Sequence, residues 1–145
     1  MKLFLHEDQN IEETIIDITY NIFDDQLQKI IHLIEENDIQ LEGIKQNQTY
    51  IIKSSDIFYI ESVDNSTFLY TKTDVFESKK KLYHFEKKLK NKSFVQINKS
   101  TILNMDHLRS VSPLPNYRLE ADLVNDDRLI ISRHYMKYVK EYLNI

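Results

Sequence analysis

Apolar residues recur along this chain with two alternating periods. Residues 2 to 5 (KLFL) and 13 to 20 (ETIIDITY) read as short strands, the second because Ile16, Ile18 and Tyr20 alternate with Asp17 and Thr19. Between Asp24 and Glu36 the spacing lengthens. Phe23, Leu27, Ile30, Ile31 and Ile34 share one face of an amphipathic helix, and Asp24 and Asp25 sit near the positive end of its dipole. From residue 40 onward the strand period dominates. Strands are expected at Leu41 to Lys45, Thr49 to Ile52, Ile57 to Ser62, Thr67 to Thr71, Val75 to Lys79, Phe94 to Ile97, Arg109 to Leu114, Arg118 to Val124 and Arg128 to Ser132.

Polar turns such as Asp64-Asn65-Ser66 and Asn125-Asp126-Asp127 separate these runs, which implies antiparallel pairing. Two helical pieces interrupt them. Leu82, Phe85, Glu86 and Leu89 share one face, as do Tyr135, Tyr138, Val139 and Tyr142. The fold class expected is mostly β with minor α. An acidic strand and helix extension, residues 1–45, packs on a β domain of residues 46–145, and the joint at 40–48 reads as a packed connection.

Composition narrows the chemistry. The chain has 145 residues, enough for one domain with an ordinary apolar core, and its lack of cysteine excludes disulfides, thiolate metal sites and a thiol nucleophile. That usage suits the cytoplasm. A single glycine excludes the glycine-rich phosphate loops of nucleotide-dependent enzymes. The five histidines form no HExxH pattern and no serine lies in a GxSxG elbow, so neither a metal site, a cofactor nor an enzyme is expected. The net charge of −4 hides an asymmetry: residues 1–45 carry three lysines against eleven carboxylates, and the remainder sixteen basic against twelve acidic side chains. The basic part is a candidate for a polyanionic partner, and a solvated surface of mixed sign is the plainer alternative.

Three polar loops stand beside strong strand signals: Asp64 to Thr67, Gln96 to Asn104, and Ser132-Arg133-His134. Arginine can donate two hydrogen bonds to guanine and asparagine can pair with adenine, whereas Lys, Ser and Thr suit phosphate oxygens. Each residue has a plainer role open to it. Asn104 equally suits satisfying backbone groups in a buried turn, Arg133 pairing with Asp106 or Glu141, and Lys99 simple solvation.

The order of these words resembles the LytTR family of bacterial DNA-binding domains. The matching segments are IFYIES (57–62), FLYTKTDVFESKKKLYHFEKKL (68–89), FVQINKSTILNMDHLRSV (94–111) and RLIISRHYMKYVKEYL (128–143). The resemblance covers about residues 46–145. It implies an elongated fold of small antiparallel sheets that inserts loops into successive major grooves of double-stranded DNA. Carried over by position, Thr67, Asn104 and Arg133 would contact bases, and Asn65, Ser66, Lys99, Ser100, His134 and Lys137 the backbone. Family members bind paired direct repeats and bend the duplex, so a homodimer on DNA is expected.

Two departures qualify the match. The turn at Asn125-Asp126-Asp127 lacks the glycine often found there. The acidic N-terminal segment is too short for the receiver domain of many relatives, so the chain is similar to small stand-alone regulators, which are often paired with a controlling membrane protein. A protein-interaction module, with the N-terminal helix binding a partner and the β domain as scaffold, is the alternative; no small-molecule substrate is expected.

Overall fold

The structure, a computed structural model, describes residues 1–35, 38–90 and 92–145. They divide into two units, Met1–Ile34 and Glu35–Ile145. In the first, residues 1–24 form no strand, and Leu3, Phe4, Leu5, Ile15 and Ile16 are exposed. The strands expected at 2–5 and 13–20 are therefore corrected: alternation supplies a face, but a strand also needs a neighbour for its backbone groups. The expected helix is present as α1 (Asp25–Glu35), and the expected end at Glu36 lies outside the described residues. Asp24 starts it, its carboxylate accepting from the Leu27 amide at 2.8 Å and its carbonyl from the Gln28 amide at 3.0 Å.

In the second unit, strands β1 (Gln40–Lys45), β2 (Gln48–Lys53), β3 (Ile57–Val63), β4 (Ser66–Thr71), β5 (Val75–Ser78), β6 (Phe94–Asn98) and β7 (Thr101–Asn104) form an antiparallel sheet in the order β2-β1-β5-β4-β3-β7-β6. Strands β8 (Leu108–Leu114), β9 (Arg118–Leu123) and β10 (Arg128–Ile131) form a three-stranded antiparallel meander. Helix α2 (Leu82–Lys88) separates β5 from β6, and α3 (Met136–Leu143) follows β10. Mostly β with short helices is thus correct, with one sheet larger than expected. No helix among the described residues is long and apolar enough to cross a membrane.

Strand β7 was hidden within the polar stretch 96–104. Its Thr101 and Asn104 are buried beside Ile102 and Leu103, so polarity there marks satisfied interior groups instead of a loop.

The large sheet is covered on both faces, which is why β3 begins with the unbroken buried run Ile57-Phe58-Tyr59-Ile60. Ile57, Ile60, Leu69 and Ile102 pack with Phe85 and Leu89 at α2, while Tyr59, Ile97 and Leu103 pack with Leu119, Leu123, Ile131 and Val139 of the meander and α3. Each such aliphatic side chain contributes roughly 1.5–3 kcal/mol on burial. Gly43 of β1 is fixed by space. A Cβ there would lie 2.6 Å from Phe76 Cβ and 2.7 Å from Ile52 Cδ1.

Candidate nucleic-acid interface

Tight turns deliver the candidate loops to one edge of the large sheet. The β3–β4 connection is a two-residue turn closed by the pair Val63 and Ser66, with Asp64 and Asn65 at φ 50° and 67°. Asp and Asn tolerate that left-handed backbone, and the mirror-type turn matches the twist of the strands. The β6–β7 turn, Lys99-Ser100, lies beside it: Glu61 of β3 is the ladder partner of Thr101, and the Ser62 amide donates to the Ser100 carbonyl at 2.8 Å.

Asn98 ties the third element to this edge. Its Oδ1 accepts from the Ser100 amide at 2.9 Å and from Ser100 Oγ at 3.1 Å, holding the turn, while its Nδ2 donates to the Ile130 carbonyl at 2.9 Å. The Ser132 amide donates to the Ile97 carbonyl at 2.9 Å. The Ser132-Arg133 junction is thereby held beside Lys99-Ser100. Arg133, His134, Lys137 and Lys99 are exposed, Ser100 and Ser66 are half-buried, and Asn65 is exposed. Lys137 Nζ rests 5.0 Å from the Tyr138 ring centre.

Two of the residues expected at bases are buried. Asn104 is 1% exposed and sits at the far end of β7 from the Lys99-Ser100 turn. Its Nδ2 donates to the Ile57 carbonyl at 2.9 Å, and its Oδ1 accepts from Ser93 Oγ at 2.8 Å and the Asp106 amide at 3.1 Å. Its side chain is committed to holding β3, the β6 entry and the following 3-10 turn together. Thr67 is also 1% exposed, inside β4 between its ladder partners Ser62 and Ser78. Neither side chain is exposed.

Lys79, Lys80 and Lys81 are the residues that sequence reasoning missed. They leave the end of β5, where Ser78 pairs with Thr67, and Lys81 Nζ donates to the Asn65 carbonyl at 2.8 Å. All three are exposed. The available signal was the run of three lysines directly after a strand whose partner ends in a tight turn. Among the described residues, no ion pair involves Lys79, Lys80, Lys99, Arg133 or Lys137; Arg133 meets neither Asp106 nor Glu141. The Glu61 carboxyl, half-buried below the turns, is raised above its usual range by burial. The edge is therefore cationic, anchored by backbone, and free to meet an anion.

The profile of the LytTr DNA-binding domain family matches residues 47–144. An uncharacterized HTH-type transcriptional regulator of Staphylococcus aureus (strain NCTC 8325 / PS 47) is 31% identical over 147 residues, spanning 100% of this chain and 99% of that relative. The sensory transduction protein LytR of Staphylococcus saprophyticus is 30% identical over 96 residues, 66% of this chain and 38% of that protein; that of Staphylococcus haemolyticus is 29% identical over 112 residues, 77% and 44%. The chain thus spans less than half the length of these two longer relatives. Among solved structures, a LytTr DNA-binding domain from Bacillus cereus superposes with a TM-score of 0.70 at 22% identity, over 73% of this chain and 97% of that one.

Proposed function

Because the chain belongs to the LytTR DNA-binding domain family, we propose that it is a sequence-specific transcriptional regulator that reads promoter DNA in the cytoplasm with the turns at this one edge. One observation carries the reading: the β3–β4 turn, the Lys99-Ser100 turn and the Arg133 junction are joined by hydrogen bonds into a single cationic edge. Arg133 and Lys99, at the exposed tips, are assigned to base edges in the major groove. Lys79, Lys80, Ser100, His134 and Lys137 are assigned to phosphates, and Asn65 and Ser66 to the groove wall. Strands behind the turns limit their displacement, so a few side chains suffice for register. Two copies on adjacent direct repeats, with bending of the duplex, would add shape readout.

Fluorescence anisotropy separates the roles. Arg133→Ala should lose roughly 1–3 kcal/mol of preference for the target over a shuffled duplex. Lys137→Ala should weaken both duplexes alike and reduce the slope of log affinity against log salt by about 0.9. Equal losses on target and shuffled DNA in Arg133→Ala would remove that residue from base reading.

A second role is favoured by the N-terminal unit, which leaves Leu3, Phe4, Leu5, Ile15 and Ile16 exposed, with Leu33 of α1 70% exposed. Apolar side chains on an acidic segment suit a protein partner, such as a controlling membrane protein. Replacing Leu3, Phe4 and Leu5 with serine should abolish capture of that partner and leave DNA affinity unchanged.

A further inference from the structure

The second unit contains a cleft of about 590 Å³ at the seam between the β1–β2 hairpin, the end of β5 and α2. Strand β1 joins β5 through one ladder pair, Ile44 with Glu77, and the cleft is lined from β1, β2, the end of β5 and α2. Ile44, half-buried, is the accessible apolar side chain of its floor, with Leu41 and Phe85, both 2% exposed, packed behind it. The walls carry Lys79, Lys80, His84 and Lys88 against one carboxylate, Glu42. Among the described residues none of these three lysines enters an ion pair.

We propose that this cleft binds a small organic anion, a carboxylate or phosphate ester with an apolar body. Its volume lies within the range of ordinary ligand pockets, and an apolar floor beneath convergent cations selects a molecule with one charged end and one greasy end. Partial burial, with the positive charges of Lys80 and Lys88, holds the His84 imidazole below the usual histidine range. With three lysines against one carboxylate in its walls, the cleft carries an excess of positive charge that a bound anion relieves.

The site is coupled to the cationic edge by shared residues. Lys79 and Lys80 line the cleft, and the adjoining Lys81 holds the Asn65 carbonyl of the β3–β4 turn. A ligand that engages Lys79 and Lys80 withdraws them from DNA phosphates, so ligand and duplex weaken each other reciprocally. This coupling rests on the DNA-binding reading; occupancy of the cleft does not.

Phenyl phosphate, with inorganic phosphate beside it, probes the full chain by NMR in the absence of DNA. The expected result is saturable movement of the Ile44, His84 and Phe85 signals, with phenyl phosphate binding at least about tenfold tighter, because its ring covers Ile44 and the methylenes of the surrounding lysines. Lys88→Gln, on α2 and outside the residues assigned to DNA, should weaken the probe about tenfold while DNA affinity stays unchanged. Signals that do not move at millimolar probe, equal binding of both phosphates, or an unaltered Lys88→Gln variant would overturn the proposal. So would movement of the same signals by a duplex that phenyl phosphate cannot displace, since the cleft would then belong to the DNA backbone. DNA affinity measured without phosphate tests the DNA-binding reading separately.

Discussion

Asn104 and Lys99 lie five residues apart and have opposite fates, and burial decides between them. Asparagine can read adenine or satisfy a backbone, and the residue type alone does not distinguish the two. In the interior its amide serves Ile57 and its carbonyl serves Ser93 and Asp106, so Asn104→Ala would take these bonds from the Ile57 carbonyl and the Asp106 amide, while Ser93 Oγ keeps the Asp106 carboxylate. We expect a loss of about 1–3 kcal/mol in urea denaturation, with unchanged DNA affinity per folded molecule. A stable variant that no longer discriminates target DNA would restore Asn104 to base reading. Tyr59 is a second residue governed by its surroundings. Its hydroxyl donates to Asp127 at 3.1 Å, and burial first, then the Asp127 charge, raise its phenol well above the ordinary value. The folded chain thus holds this proton more tightly than the unfolded chain does. The associated stability is present below the unfolded phenol value of about 10 and falls as pH rises past it. Tyr59→Phe should flatten that alkaline decline, which thermal denaturation across pH 8–11 would measure (roughly the span around the free phenol pKa); an unchanged alkaline profile would contradict the assignment.

At the scale of elements, the strands β1 to β6, β9 and β10 were legible from their alternating or continuous apolar runs, and β8 was expected although its Leu108, Val111 and Leu114 fall three apart. Strand β7 was not, since buried Thr101 and Asn104 gave it the composition of a loop. The strands expected at 2–5 and 13–20 show the reverse failure, a pattern with no partner. Arg133 stands exposed between β10 and α3, as its place between an apolar strand and a helical pattern suggests. Asn98 and Lys79–Lys81 were not legible, because their importance arises from pairing between distant segments. Gly43 gives an element-scale prediction: Gly43→Ala would press a Cβ against Phe76 and Ile52, costing about 1–3 kcal/mol and loosening the β1–β2 hairpin. Denaturation of the variant should show this loss, and hydrogen exchange should rise in β1 and β2 before β3 and β4. Uniform exchange across the sheet would contradict a local effect.

For the whole molecule, the central claim is that DNA meets one edge, assembled from turns distant in sequence, and not a helix face. The lysines make that claim directly measurable, because they lie at both ends of the large sheet. Lys72 and Lys45 are at the end opposite the β3–β4 turn, where Lys45 pairs with Asp74 near the β4–β5 connection. Lys79, Lys80, Lys99 and Lys137 are at or beside the proposed interface. The most direct test is lysine acetylation footprinting by mass spectrometry, with and without a duplex from the region upstream of the chain's own gene. The account predicts protection of Lys79, Lys80, Lys99 and Lys137, lost as salt rises, with Lys45 and Lys72 modified as in the free protein. Protection centred on Lys45 and Lys72, or spread evenly over all lysines, would contradict it.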